Sequence, residues 1–290
     1  MNNTNTLKIN RGEYRIQSKL TSASHINVYN AVKLNGNETI AVKIIPLANR
    51  DSWRSFKTEV NAIQEIQPWE HQYLVNYHQF YIENSYGIIA MQKYDCDLLS
   101  FIITRRERIS EDIARSIFQK ICIGLNTMHS YGIAHLDIKP ENIMYDIEKN
   151  IPYIGDFGCA FNFSQNENCT IIGGTSSFHP PEYEKGYVID PRKADVYSLG
   201  VTLFVILTMC YPYNINMDIG KRKISLEDSL SHDCKNLLRK MLKTNPKKRI
   251  SLKEVMKHPW LSNIKKESKL QTAKSSINKH VGNILGCSKC

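Results

Sequence analysis

The residues best suited to chemistry lie in two short motifs. His135-Leu-Asp-Ile-Lys-Pro-Glu-Asn142 places an Asp, a Lys and an Asn in one stretch, and Asp156-Phe-Gly158 begins fourteen residues later. Phosphoryl transfer uses these residue types, because one carboxylate accepts a hydroxyl proton, a Lys neutralises the moving phosphate, and an Asn and an Asp hold metal. We therefore expect a two-carboxylate magnesium and phosphate site, formed by Asp137, Lys139, Asn142 and Asp156.

In this order and spacing, the two motifs resemble those of eukaryotic protein kinases. The resemblance implies that Lys43 of Ala41-Val-Lys43 grips the α- and β-phosphates of ATP. It also implies an acidic partner for Lys43 on the following helix, either Glu59 or Glu65. We favour Glu59, because it leads the apolar stripe of that helix toward the predicted cleft.

An adenine site is the next implication of the resemblance. Met91-Gln-Lys-Tyr94 is similar to the kinase hinge, with Met91 as gatekeeper and Lys93 within the segment whose backbone pairs with the adenine edge. Asp97 is expected to accept hydrogen bonds from the ribose. The other expected nucleotide contacts are apolar: Leu20, Val28, Ala41 and Met144. Ordinary core packing is an alternative role for Val28, Ala41 and Met144, and both roles can hold together.

Later motifs extend the resemblance to about residues 14–260. Gly174-Thr175 and Pro180-Pro-Glu182 resemble the end of a kinase activation segment, and His258-Pro-Trp260 resembles the end of the domain. Two structural contacts follow from the resemblance. Glu182 should form a buried bridge with Arg249, and Asp195 should brace the backbone of the catalytic loop.

Lys139 and the Lys-Pro-Glu-Asn run resemble serine/threonine kinases, and the surrounding residues are most similar to the calcium/calmodulin-dependent and myosin-light-chain kinase group. The resemblance implies transfer of the γ-phosphate of ATP to Ser or Thr hydroxyls of protein substrates in signalling. It implies Mg²⁺ as the metal, with Mn²⁺ as an alternative. A pseudokinase or weakly active interaction module is the alternative function.

Two departures from the family pattern bear on activity. Thr21, Ala23 and Ile26 occupy the three positions where kinases usually carry the glycines of the Gly-rich loop. Glycine lets backbone N–H groups approach phosphate, so we expect nucleotide binding to be weaker by about 1–2 kcal/mol. Leu136 stands where many kinases have an Arg that binds an activation-segment phosphate. Activity should therefore depend little on phosphorylation of Ser164 or Thr170.

Hydrophobic patterning predicts the elements that position these residues. Strands are predicted at 14–20, 27–33, 39–45, 77–82 and 87–91, interrupted by a helix at 52–66. Helices follow from residue 110 to Gly132 and at about 192–209, 231–242 and 251–257, with short strands at 143–145 and 152–154. The predicted fold class is α+β, with a small β-rich N-lobe (about 14–91), a larger helical C-lobe (about 95–260) and a cleft between them.

The charge of the chain is concentrated near its C-terminal end. The net charge is +10 over 290 residues, yet residues 246–290 hold eleven Lys and Arg against two Glu. The body is therefore nearly neutral, and no nucleic-acid partner is expected. Residues 261–290 form a basic tail with interspersed apolar residues, and this composition favours a solvated tail. The resemblance implies the alternative that such a tail docks on the kinase and binds calmodulin, and contact with a membrane is a further alternative.

The remaining composition indicates an intracellular protein, cytoplasmic or nuclear. Residues 1–13 are a polar lead-in without the apolar run of a signal peptide. The longest apolar stretch, Leu199 to Cys210, is too short to span a bilayer. The eight cysteines are mostly scattered singly, as is typical of reduced cysteines.

Overall fold

The computed structural model describes residues 14–20, 27–34, 38–66, 71–105, 107–165, 169, 173–185, 190–218 and 221–262. The predicted lead-in, the glycine-loop positions 21, 23 and 26, Thr170 and residues 263–290 of the basic tail lie outside these ranges. The predicted boundaries between lead-in, domain and tail therefore stay predictions.

The N-lobe is a five-stranded antiparallel sheet with one helix packed on it. Its strands are β1 (Tyr14–Lys19), β2 (Asn27–Lys33), β3 (Thr39–Pro46), β4 (Tyr77–Glu83) and β5 (Tyr86–Gln92), in the order β1-β2-β3-β5-β4. Helix α1 (Arg50–Ile66) lies between β3 and β4 in the chain. All five predicted strands and the predicted helix are confirmed, with ends shifted by one or two residues.

Helix α1 reaches the sheet through one apolar face. Phe56, Ile63 and Ile66 are buried, as the helical spacing of apolar residues requires. A Cβ at Gly87 of β5 would collide with the ring of Phe56, so the close approach of helix and sheet depends on this glycine. The same face buries Glu59, and only a specific partner can compensate for burying a carboxylate.

The C-lobe is helical, and one of its helices is almost entirely buried. Its helices are α2 (Leu98–Ile103), α3 (Glu111–Ser130), α4 (Pro191–Thr208), α5 (His232–Met241), α6 (Leu252–Met256) and α7 (Pro259–Ser262). Helix α3 follows its N-cap Ser110, whose side chain accepts from Ile113 N. Helix α4 is buried along almost its whole length. Across the described ranges, every helix is too short or too polar to cross a membrane.

Short strands place the catalytic motifs beside the cleft. They are β6 (Cys96–Asp97), β7 (Ile133–Ala134), β8 (Ile143–Asp146), β9 (Ile151–Ile154) and β10 (Phe161–Asn162). They form one sheet of order β6-β8-β9 and a two-stranded pair of β7 and β10. The loop 135–142 therefore runs between two anchored strands, and residues 156–158 follow β9. The α+β architecture with a β lobe and a helical lobe is confirmed.

Candidate active site

Lys43 joins the two lobes by contacting two carboxylates. Its Nζ lies 2.8 Å from Oε2 of Glu59 on α1 and 2.9 Å from Oδ1 of Asp156 after β9. Glu65, the alternative partner, is exposed on α1. The structure thus pairs Lys43 with Glu59 and brings the two motif residues Lys43 and Asp156 into direct contact.

Burial and charge separate the pKa values of these three groups. Burial alone would lower the pKa of Lys43, but Asp156 and Glu59 outweigh it and raise the pKa above its ordinary value. Burial raises the pKa of Glu59 to about 7, although Lys43 opposes this shift. Burial also favours a higher pKa for Asp156, but the positive charge of Lys43 outweighs it and lowers the pKa of Asp156 to about 2. Asp156 is therefore ionised throughout the neutral range.

Asp137 is held by three neighbours at the floor of the cleft. Nδ2 of Asn142 donates to its backbone oxygen and to its Oδ2, both at 2.9 Å. Nζ of Lys139 lies 3.0 Å from Oδ2, and the backbone N of Thr175 donates to Oδ1 at 2.8 Å. Lys139 also donates to Oγ1 of Thr175 at 2.6 Å. The predicted Asp137, Lys139 and Asn142 therefore form one cluster, which Thr175 completes.

Asp195 of α4 fixes the backbone that precedes Asp137. Its Oδ2 accepts from His135 N at 2.9 Å, and its Oδ1 accepts from Leu136 N at 2.7 Å. Nε2 of His129 lies 2.8 Å from the same Oδ2. Leu136 has a φ of 62°, which is unfavourable for a residue with a branched side chain. The predicted bracing role of Asp195 is confirmed, and its hydrogen bonds offset the strain at Leu136.

Aromatic contacts anchor Phe157, the residue that follows Asp156. Phe157 is buried and packs against the rings of Tyr77 at 5.5 Å and His135 at 5.8 Å. Tyr77 Oη accepts from Asp156 N at 3.2 Å, and Asp156 has a φ of 58°. Sequence analysis did not single out Tyr77, whose position in β4 carries no motif. The sequence feature that could indicate Tyr77 is an aromatic residue at the start of a strand beside the hinge.

The predicted adenine residues lie on neighbouring strands. Met91 of β5 pairs with Ala41 of β3, and Val28 of β2 pairs with Lys43. Leu20 N donates to Val28 O at 2.8 Å, which places Leu20 immediately after β1 and opposite Val28 of β2. These residues therefore lie close to Lys43 in the sheet. Their contact with a nucleotide stays a prediction.

The hinge residues lie at the junction of the two lobes. Lys93 is exposed immediately after β5, and Asp97 pairs with Met144 between β6 and β8. The carboxylate of Asp97 caps helix α2, because Oδ1 accepts from Ser100 N at 2.8 Å and Oδ2 from Ser100 Oγ at 2.7 Å. Asp97 thus has a structural role that sequence analysis did not include, and a ribose contact would have to use its remaining lone pairs.

The donor set of Asn142 and Asp156 fits a magnesium ion. Nδ2 of Asn142 is committed to Asp137, which leaves the carbonyl Oδ1 as the atom for a ligand. Oδ1 of Asp156 is bonded to Lys43, and its side chain is 29% exposed, so Oδ2 can take a cation from the cleft. Carboxylate and amide oxygens are the ligands that Mg²⁺ prefers, usually with phosphate and water completing the shell.

A buried ion pair anchors the segment that follows Thr175. Arg249 donates from Nη1 to Glu182 Oε1 at 2.7 Å and from Nη2 to Oε2 at 2.8 Å. Its guanidinium also lies 4.9 Å from the ring centre of Tyr197 on α4. The predicted bridge between Glu182 and Arg249 is confirmed.

This combination of a β lobe, a lysine bridged to two carboxylates and an Asp-Lys-Asn loop is the arrangement of a nucleotide-dependent phosphotransferase. The family model described as "Protein kinase domain" matches residues 14–261. The chain belongs to the protein kinase family.

Three curated relatives are serine/threonine or SNF1-related kinases by name. CBL-interacting serine/threonine-protein kinase 7 of Arabidopsis thaliana is 31% identical over 271 residues, which cover 89% of this chain and 62% of the relative. SNF-related serine/threonine-protein kinase of Homo sapiens is 27% identical, covering 78% and 30%. SNF1-related protein kinase catalytic subunit alpha KIN12 of Arabidopsis thaliana is 28% identical, covering 90% and 53%. The chain thus spans less than two thirds of each of these proteins.

Proposed function

We propose that the chain is an ATP-dependent protein serine/threonine kinase with a signalling role. The observation that carries the proposal is the simultaneous contact of Lys43 with Glu59 and Asp156. Protein kinases need the lysine–glutamate pair to orient the lysine for the phosphates, and they need the aspartate placed to hold the metal. The two contacts of Lys43 bring the pair and the aspartate together. The serine/threonine kinases among the relatives support the acceptor class.

In the proposed mechanism, the chain acts by positioning and charge neutralisation. Asp137 orients the Ser or Thr hydroxyl and accepts its proton, and Thr175 N holds the carboxylate in place. Lys139 neutralises charge on the transferred phosphate. Asn142 and Asp156 would hold Mg²⁺, which supplies electrostatic stabilisation of the phosphate oxygens when bound. Lys43 would hold the α- and β-phosphates.

The phosphorylation-independent activity expected from Leu136 has support in the packing. Leu136 is 6% exposed and belongs to an apolar cluster with Ala134, Cys169 and Ala194. Phe163 packs on the same cluster from the segment after β10. Apolar burial thus connects the catalytic loop with residues of the activation segment, in the place where an Arg would need a phosphate partner.

The proposal also covers the kinase subgroup and the strength of nucleotide binding. Similarity of the catalytic loop motif favours the calcium/calmodulin-dependent and myosin-light-chain group, whereas the reported relatives are SNF1-related and CBL-interacting kinases. The absence of glycine at residues 21, 23 and 26 favours weak nucleotide binding. Restoring the three glycines should increase ATP affinity about tenfold, and unchanged affinity would contradict this assignment.

The basic tail supports a regulatory or targeting role in the cytoplasm or nucleus. Its lysines and interspersed apolar residues fit contact with calmodulin or an anionic membrane. Deletion of residues 263–290 should abolish binding to calcium-loaded calmodulin or to anionic vesicles, whichever the full chain binds. Binding that survives the deletion would assign it to the kinase domain.

The test of the proposed function is γ-phosphate transfer to a generic Ser/Thr protein substrate. Asp137→Asn should reduce the rate at least 100-fold, equivalent to about 3 kcal/mol of transition-state stabilisation, while ATP binding persists. Asp228→Asn, which changes an exposed carboxylate, is the matched control. Equal activity of wild type and Asp137→Asn would refute the assignment. ATP binding without any phosphate transfer would favour the pseudokinase alternative. The absence of glycine at residues 21, 23 and 26 supports that alternative.

A further inference from the structure

Residues 175–178 connect the catalytic cluster to the rest of the C-lobe. At one end, Thr175 is bonded to both Asp137 and Lys139. A substrate hydroxyl must reach Asp137, so the residues beside that hydroxyl have to lie against this segment. The position of residues 175–178 therefore affects how a protein substrate is held.

Three consecutive carbonyl groups of this segment each accept a hydrogen bond from a C-lobe side chain. Ser198 Oγ of α4 donates to Phe178 O at 2.9 Å. Tyr213 Oη donates to Ser177 O at 2.5 Å, and Arg222 Nη1 donates to Ser176 O at 3.1 Å. Ser198 belongs to a buried helix. Tyr213 and Arg222, in contrast, come from the long connection between α4 and α5.

Tyr213 and Arg222 also support each other. The guanidinium carbon of Arg222 lies 4.5 Å from the centre of the Tyr213 ring, within the range of a cation–π contact. Tyr213 is 6% and Arg222 8% exposed. Nε of Arg222 is buried without a hydrogen-bond partner among the described residues. Burying a guanidinium in this way is costly, so its own stabilising effect does not account for its position.

We propose that Arg222 and Tyr213 are positioning residues that set the affinity for the protein substrate by fixing residues 175–178. This inference rests on the proposed kinase function. Neither residue touches the reacting atoms: Arg222 acts through Ser176, and Tyr213 acts through Ser177. The connection between α4 and α5 thereby contributes to protein-substrate affinity, although it carries no kinase motif.

The test separates substrate binding from nucleotide binding. Arg222→Ala should raise KM for a protein substrate about tenfold, because a partly buried hydrogen bond from a charged group contributes about that factor. KM for ATP should change less than about twofold, since Lys43 and its partners lie elsewhere. Tyr213→Phe keeps the ring beneath the guanidinium but removes one donor, so its effect should be smaller. Arg239→Ala, at an exposed position of α5, is the control and should match wild type.

Amide hydrogen exchange supplies a readout that does not require activity. Arg222→Ala should accelerate exchange within residues 175–178, with α4 and the N-lobe sheet unchanged, and Arg222→Lys should restore part of the protection. A folded Arg222→Ala protein with unchanged KM and unchanged exchange would overturn the inference. So would faster exchange spread over the whole C-lobe, which would indicate a purely structural role. If wild type transfers no phosphate, the proposed function fails, and the exchange measurement still decides the positioning role.

Discussion

Replacing Asp195 by Asn should disable the catalytic loop without changing the size of the side chain. The carboxylate is fully buried and accepts three hydrogen bonds, from His135 N, Leu136 N and His129 Nε2. An amide has only one oxygen. In its better orientation, Asn keeps the two bonds to His135 and His129 and directs its NH₂ group at the N–H of Leu136.

The magnitude follows from these contacts. A buried N–H without an acceptor costs about 1–3 kcal/mol, and each bond that loses its charged acceptor is weakened by about 1 kcal/mol. The free energy of unfolding should therefore fall by about 3–5 kcal/mol. The unpaired Leu136 N–H also removes support from a residue at φ 62°, immediately before Asp137.

Guanidinium unfolding and phosphoryl transfer measure the two consequences. We expect kcat to fall more than tenfold in protein that is still folded, because Asp137 loses its fixed position. Asp228→Asn, an exposed Asp to Asn exchange in the same lobe, should leave both quantities unchanged. A loss of unfolding free energy below about 1 kcal/mol with unchanged kcat would show that Asp195 does not brace the loop.

Three further predictions concern the ion pairs and the activation segment. Burial raises the pKa of Glu59 to about 7, above its ordinary value, so its contribution to folding is largest at low pH and is lost as the pH rises toward 7. The ionised carboxylate of Glu59, which pairs with Lys43, accumulates over the same pH range, so ATP affinity should rise as the pH rises through about 7. Glu59→Gln should remove this pH dependence in a nucleotide titration. Arg249→Ala should cost about 3–5 kcal/mol by leaving Glu182 buried and unpaired, whereas Arg249→Met with Glu182→Leu should cost less in the same denaturation assay. Phosphatase treatment should leave kcat nearly unchanged, because an apolar cluster surrounds Leu136, and a collapse of activity would contradict this role of the cluster.

The parts of the fold that could be predicted are those with a local signal. Strand β3 follows from the β-branched residues of 39–45, and Glu59 follows from its place on the apolar face of α1. The two-residue strands β6, β7 and β10 are too short to show a period, so no pattern could indicate them. The capping role of Asp97 was missed because an Asp before an apolar run fits a helix cap and a ligand contact equally well.

Contacts between distant residues could be predicted only where a family motif marked them. The bridge from Glu182 to Arg249 joins two recognisable motifs, whereas Arg222 and Ser176 are 46 positions apart and Arg222 belongs to no motif. Tyr77 reaches Asp156 across 79 positions in the same way. Such contacts arise from the packing of complete elements, which the period of a single segment does not determine.

Helix α4 shows how a sequence can nevertheless indicate its anchoring residues. The helix is apolar around its circumference, and a polar side chain in such a helix must find a partner or destabilise the core. Three of its buried polar groups do so at the active site: Asp195 binds the loop before Asp137, Ser198 binds Phe178 O, and Thr202 Oγ1 donates to Ile138 O at 3.3 Å. One rigid helix thus fixes both the catalytic loop and the segment that faces the substrate. A polar residue within an otherwise apolar helix is therefore a signal for an anchoring contact, and it requires no motif.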